Sequence, residues 1–360
     1  MMKKRSALPA ASAVLLVFLL FSCMRQPYVP PSERQAEDFD KEYYIINTLA
    51  ETISIINGND TDEVYPDILT TGMWPNYIHF HRGNLYIVNS GDNAISVYDE
   101  STFEYIGEIY FGAGSNPWTI IPKDGTDTAF VPCFASGDMA VVNLADLSIE
   151  KRVPLGKGPE AGVYQDGKVY VGNTAWNYQH FTFDDGTVSV IDADSGEKTA
   201  TVTVGINPQS ILAFPDDIHE IHVICTGKNG GPGSDDGEVV VIDTLTDEVT
   251  ETIALGGSPI GGSGSIDWDN DMVYLSGVGG ILSYNFRTKT AVNGSDNYLL
   301  AGTDRESDLF GGLVVDEEKS RLLICYFTGD SILEIDLNDY SIVKEIEGSD
   351  GPQSIYLFTE

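Results

Sequence analysis

The stretch Leu85-Tyr-Ile-Val-Asn-Ser-Gly-Asp-Asn-Ala-Ile-Ser-Val-Tyr-Asp99 decides the fold. Two short runs rich in Ile, Val and Tyr flank a Ser-Gly-Asp-Asn turn, the pattern of a β-hairpin. Its second half recurs along the chain. Ala94–Asp99 returns as Asp138–Asn143, Thr187–Asp192, Glu238–Asp243, Gly280–Asn285 and Ser331–Asp336, and an earlier copy, Glu51–Asn57, makes seven. The closing Asp or Asn stands at 57, 99, 143, 192, 243, 285 and 336, in steps of 42 to 51 residues. Steps of that size fit a four-stranded blade with variable loops.

A second marker keeps the same step: Pro75, Pro117, Pro159, Pro208, Pro259 and Pro352 each sit in Gly- or Asn-rich surroundings. The sixth unit lacks this Pro and carries Arg305-Glu306-Ser307-Asp308 instead. The chain ends are complementary. Gly351–Phe358 reads as a first strand with nothing after it, and Tyr43–Leu69 supplies three strands with none before them. Joined, they make one more blade. The expected fold is all-β: a seven-bladed β-propeller of four-stranded blades over residues 43–360, its ring closed by N-terminal strands pairing with the C-terminal strand.

Residues 85–99 resemble the YVTN repeat of bacterial and archaeal surface β-propellers. So does Gly237-Glu-Val-Val-Val-Ile-Asp-Thr-Leu-Thr-Asp-Glu-Val-Thr-Glu-Thr-Ile253 followed by Gly256-Gly-Ser-Pro259. The resemblance implies the fold over about residues 43–358 and leaves activity open, because propellers carry many functions. The fifth and sixth units depart most from the pattern, through an added loop at Val292–Thr303.

Composition narrows the partners. With 20 Lys+Arg against 55 Asp+Glu, the net charge is −35, which repels nucleic acid and disfavours docking on anionic lipid through a basic patch. The 42% hydrophobic content argues against disorder. Gly 37 and Tyr 18 against Met 6 point to turns and strands.

The first 22 residues read as a lipoprotein signal peptide: Lys3, Lys4 and Arg5 precede an apolar run from Ala7 to Phe21 that contains Pro9 and is too short to span a bilayer. Leu20-Phe21-Ser22-Cys23 resembles a bacterial lipobox, which implies cleavage after Ser22 and lipid, palmitate among it, on Cys23. Met24, rather than Asp, follows Cys23, a pattern that in diderm cells resembles outer-membrane cargo. Residues 23–42, with Pro27, Pro30 and Pro31 and no apolar period, read as a flexible spacer. The expected location is the cell envelope, on the periplasmic or surface side, held to the membrane by the lipid alone.

Cys133, Cys225 and Cys325 each end a similar apolar run about a hundred residues apart, which suits buried free thiols better than disulfides or a metal site.

By resemblance to known propellers, the second-to-third strand loops and the blade-to-blade loops open on one face. That face receives the Pro turns, the loop Asn173–Asp185 and the loop Lys228–Asp236. Trp74, Trp118 and Trp176 would then ring one mouth with Tyr178 and His180, above Asn76, Glu160, Gln209 and Gln353 nearest the axis. Aromatic faces beside amides suit a small molecule, glycan, peptide or envelope protein. Among the axial residues Glu160 alone ionises, so the repeat forces no acid–base pair. A catalytic alternative, lactonase- or lyase-like, needs His180 to fold toward Glu160.

His79 and His81 share a strand face without an evident third ligand, and His219-Glu-Ile-His222 is not the helical zinc motif. Calcium is the one cation with candidate ligands, Asp304, Glu306 and Asp308, with a second oxygen-rich turn at Asp269-Asn270-Asp271. No other cofactor is expected. The leading expectation is a monomeric, lipid-anchored, non-catalytic binding or interaction scaffold; the alternative is an exported propeller enzyme acting on a lactone, glycan or peptide.

Overall fold

The recurrent Asp or Asn caps the turn that follows it. The computed structural model describes residues 41–359 apart from 178, 181, 216, 229–235, 258, 278, 295 and 301–307. In all seven units the Oδ1 of this residue accepts backbone N–H bonds from residues two or three positions on, at 2.7–3.1 Å. These are Asx turns, which fix the reversal between third and outer strand without help from the rest of the fold. The Ser101 and Thr102 side chains foremost hold the Asp99 carboxyl below the usual carboxylate range. Backbone N–H groups of Ser195, Thr246 and Asn338 do the same for Asp192, Asp243 and Asp336.

The strands form seven four-stranded antiparallel blades and one small hairpin. Blades 1 to 6 span 75–110, 117–154, 159–206, 208–254, 259–293 and 310–347. Blade 7 joins the chain ends: Pro352–Thr359 is its inner strand, followed outward by Lys41–Asn47, Thr52–Asn57 and Val64–Thr70. The seam is in register from Lys41↔Thr359 to Asn47↔Pro352, with one irregularity at Ile46/Asn47. Lys41 and Glu42, assigned to the spacer from sequence, thus belong to the blade. A charged pair reads as linker, yet Lys41 Nζ reaches across to blade 6 and meets Asp316 Oδ1 at 2.7 Å and Glu318 Oε2 at 2.8 Å.

Seven blades leave seven interfaces, and each holds its own apolar core. Between blades 1 and 2, for example, Val88, Ile95 and Val97 pack against Ala129, Val131 and Val142. Middle strands are therefore buried on both faces, which is why they read as unbroken apolar runs such as Glu238–Asp243. Val239 and Val241 enter the core shared with blade 5, while Val240 and Ile242 enter the core shared with blade 3. Outer strands keep the alternating or charged pattern, as in Glu248–Ala254, where only Ile253 is buried.

Two blades depart from the repeat for identifiable reasons. The inner strand of blade 2 shrinks to Ile121–Pro122, helped by an isolated Pro117↔Cys133 bridge, because Pro117 and Pro122 lack the N–H that a ladder needs. In blade 5 the outer strand is only Thr290–Asn293, and the chain returns so that Leu299 bridges Ile281. Among the described residues no helix is long and apolar enough to cross a membrane.

Cys133, Cys225 and Cys325 are free and fully buried, in blades 2, 4 and 6. Burial pushes the Cys133 thiol up to about 12 and raises the other two. Native protein lacking residues 1–23 should therefore react negligibly with a thiol reagent, whereas denatured, unreduced protein should release three thiols. Fewer than three would mean a disulfide that the separated blades do not allow.

Candidate functional site

Before five of the six turn prolines the described residue has a left-handed backbone: Trp74 (φ 53°), Asn116 (55°), Gly158 (59°), Asn207 (57°) and Gly351 (66°). This conformation sends the chain from one blade's rim back to the next blade's axis. Gly and Asn adopt it at little cost, whereas a bulky side chain is strained there by roughly 1–3 kcal/mol. Trp74 takes the strained position and is also 61% exposed, so neither backbone preference nor burial accounts for it.

Trp74 faces a hollow of about 430 Å³ that also receives Trp118, Trp176, Glu160 and Gln209. Its remaining lining is Asn116, Phe134, Ala135 and Phe183, which the sequence reading did not select. Two local devices set the rings. In blade 2, Trp118 N–H donates to Pro132 O (3.0 Å) and Phe134 N–H to Asn116 O (2.8 Å), so the rings of Trp118 and Phe134 lie side by side at 5.4 Å. In blade 3, the small hairpin pairs Trp176–Asn177 with Thr182–Phe183, and its register places Trp176 opposite Phe183, ring centroids 4.8 Å apart. The available signal was an aromatic at the end of a second strand or within its loop, a position each Phe shares with Trp176.

Below the hollow lies the axial shaft, about 530 Å³, lined by inner strands and including Asn76, Gln209 and Gln353. Trp118, Glu160 and Gln209 border both spaces. Asn76 is a positioning residue: its Nδ2 donates to Trp118 O (3.1 Å) and its Oδ1 accepts from the Ser90 hydroxyl (2.6 Å). Glu160 is 4% exposed, and its Oε1 accepts from Gln209 Nε2 at 3.3 Å. Burial pushes the Glu160 carboxyl up to about 8, and the Gln209 bond only partly opposes this. At neutral pH it is therefore chiefly a neutral acid, able to donate a hydrogen bond. Among the described residues the shaft's other titratable groups are Tyr77 and Tyr356, whose hydroxyls burial holds protonated.

The other sequence candidates stand elsewhere. His180 is exposed, bonds through its backbone to Asn177, and is absent from the lining of both spaces, so it does not meet Glu160. Tyr178, Asp304, Glu306 and Cys23 lie outside the described residues. Asp308 accepts the Tyr326 hydroxyl at 2.5 Å, and the Asp271 carboxylate pairs with Arg287. Among the described residues no three His, Cys, Asp or Glu side chains gather as metal ligands. His222 is fully buried between blades 4 and 5, accepting or donating at Tyr284 Oη (2.8 Å). Trp268 sits on the turn at the far end of blade 5's inner strand, away from the mouth, against Phe214 and Phe286.

No protein-family model matches the chain, and no curated protein is significantly similar. Solved structures do share its fold. A functionally unknown protein from Desulfotomaculum acetoxidans DSM 771 has a TM-score of 0.64 at 14% identity, covering 88% of this chain and 99% of its own. Kuenenia stuttgartiensis hydrazine synthase has 0.61 at 16%, covering 78% and 88%. The dihydro-heme d1 dehydrogenase NirN, in complex with DHE, has 0.58 at 14%, covering 92% and 77%. At these identities the likeness is one of architecture.

The Glu160 environment has a pH signature. Its folded-state value near 8 lies above the ordinary 4.5, so between those limits the folded chain holds a proton that the unfolded chain has released. The stability tied to this proton is fully present below about pH 4.5 and is lost as pH rises through about 8. Glu160→Gln should leave stability near pH 4.5 almost unchanged and raise it at pH 9 by on the order of a few kcal/mol relative to wild type. Denaturant titrations at the two pH values read this out, and equal effects at both would contradict it.

Proposed function

We propose that the chain is a lipid-anchored, extracytoplasmic propeller of the YVTN-repeat type that binds a ligand in the aromatic hollow without transforming it. The observation that carries this reading is Trp74. It is strained, exposed and aimed at the same hollow as Trp118 and Trp176, so its value lies in what it touches from outside. The seam adds to the picture. Lys41 pairs with Thr359 at the end of blade 7 opposite the turn prolines, so a tether running to Cys23 leaves the mouth facing away from the membrane.

A second reading has one observation in its favour. A buried carboxyl poised near 8 suits a general acid, and solved proteins of this fold include hydrazine synthase and a dihydro-heme d1 dehydrogenase. Among the described lining residues Glu160 is the one carboxylate, and His180 is not beside it. Glu160→Gln that abolishes a turnover while keeping binding would favour catalysis.

Trp74→Asn tests the leading reading, because blades 2 and 4 already use Asn at this turn. Its stability should be unchanged or higher by about 1 kcal/mol. Binding of any ligand that quenches the hollow's tryptophans should weaken by roughly 1–3 kcal/mol. Val240→Ala, in a blade interface, should cost about 2 kcal/mol of stability by contrast. A Trp74→Asn cost as large as that would make Trp74 a packing residue. For the anchor, radiolabelled palmitate should mark the wild type and not Cys23→Ala; labelling that survives would remove the lipid from the proposal.

A further inference from the structure

Taking the hollow as a ligand site, we infer that its occupant carries a quaternary or tertiary ammonium group, enclosed by the rings of Trp74, Trp118, Phe134 and Trp176 above the Glu160 carboxylate. Among the described residues, the lining combines five aromatic side chains from three blades with three polar ones, Asn116, Glu160 and Gln209, and includes no Lys, Arg or His. Both amide groups already spend a donor inside the protein: Asn116 Nδ2 on Ser90 O at 3.3 Å, Gln209 Nε2 on Glu160. A polyhydroxylated ligand would find few directional partners. A methylated ammonium needs none, since aromatic faces attract it through their quadrupoles while its methyl groups fill apolar space. The −35 charge of the chain draws cations toward the mouth from a distance.

Glu160 supplies the counter-charge. An ionised carboxylate buried without a partner is costly, and among the described residues the shaft's other titratable groups, Tyr77 and Tyr356, provide no positive one. A cation seated above it does. Binding is then coupled to ionisation: the Glu160 O–H breaks, its proton leaves to solvent, and the carboxylate faces the ammonium. A neutral ligand accepting a hydrogen bond from Glu160 has the opposite linkage, because it needs the proton to stay.

Choline and its neutral isostere 3,3-dimethylbutan-1-ol separate these cases, read by tryptophan fluorescence and by calorimetry in two buffers of different ionisation enthalpy. Choline should bind at least about tenfold tighter than the alcohol at pH 8, gain about tenfold or more in affinity from pH 6 to pH 8, and release a proton. Glu160→Gln should weaken choline and flatten its pH dependence while leaving the alcohol unaffected; Trp118→Leu should weaken both. Glycerophosphocholine distinguishes a lipid headgroup from a free solute: equal binding favours the headgroup, weaker binding the solute. An alcohol that binds as well as choline, or a choline affinity flat or falling with pH, would overturn the inference and leave a hollow for neutral ligands. If neither probe binds, the ammonium proposal falls. The ligand-site reading then rests on Trp74→Asn, whose stability is measured without any ligand.

Discussion

Lys41–Asn47 lies between Pro352–Thr359 on one side and Thr52–Asn57 on the other, and this pairing joins the two ends of the chain. Two of the seven interface cores exist only because of it. Without the seam, Leu323, Cys325 and Ile332 of blade 6 would lose Tyr43 and Ile45, and Ile78, Leu85 and Ile87 of blade 1 would lose Tyr44 and Ile46. Each such side chain is worth about 1.5–3 kcal/mol when fully buried, so both flanking blades would face water with an apolar sheet. The shaft would be breached as well, since Gln353 and Tyr356 form part of its wall. The buried Lys41–Asp316 pair belongs to the same contact: removing Lys41 would leave the Asp316 carboxylate buried without its cation, whereas Lys41 keeps Glu318 as a second partner.

Much of this was legible because the repeat is written in local chemistry. An Asp or Asn that accepts from N–H groups two or three residues ahead needs no tertiary partner, so its recurrence marked the blades directly. The turn prolines worked likewise through their fixed backbone angle. Lys41 escaped because its role depends on blade 6, distant in sequence, and Glu42 because its carboxylate accepts from Tyr44 Oη only once the strand forms; composition alone assigned both to a spacer. The two-residue inner strand of blade 2 was hidden by Pro117, which had marked the repeat, together with Pro122.

The mouth was only half legible. The tryptophans and Glu160 could be sent to one face by strand order, but not given neighbours. Phe134 and Phe183 owe their places to a backbone pairing across a turn and to the register of a two-residue hairpin. Asn76 shows the converse: the axial position was right, while the side chain turned to hold Trp118 and Ser90. Strand order fixes which face a residue reaches, and hydrogen-bond competition then decides whether it meets a ligand or a neighbour.

The seam also sets how the protein bears load. Lys41–Asn47 lies in the middle of its blade, paired on both sides. Tension drawn through Lys41 would be shared among many hydrogen bonds at once, a shearing geometry, instead of opening them one after another as at a peeled edge. The outer strand Val64–Thr70, held on one side only, would not be the first to feel the pull. A ring closed by this strand is thus strongest where a pull on Lys41 would enter it.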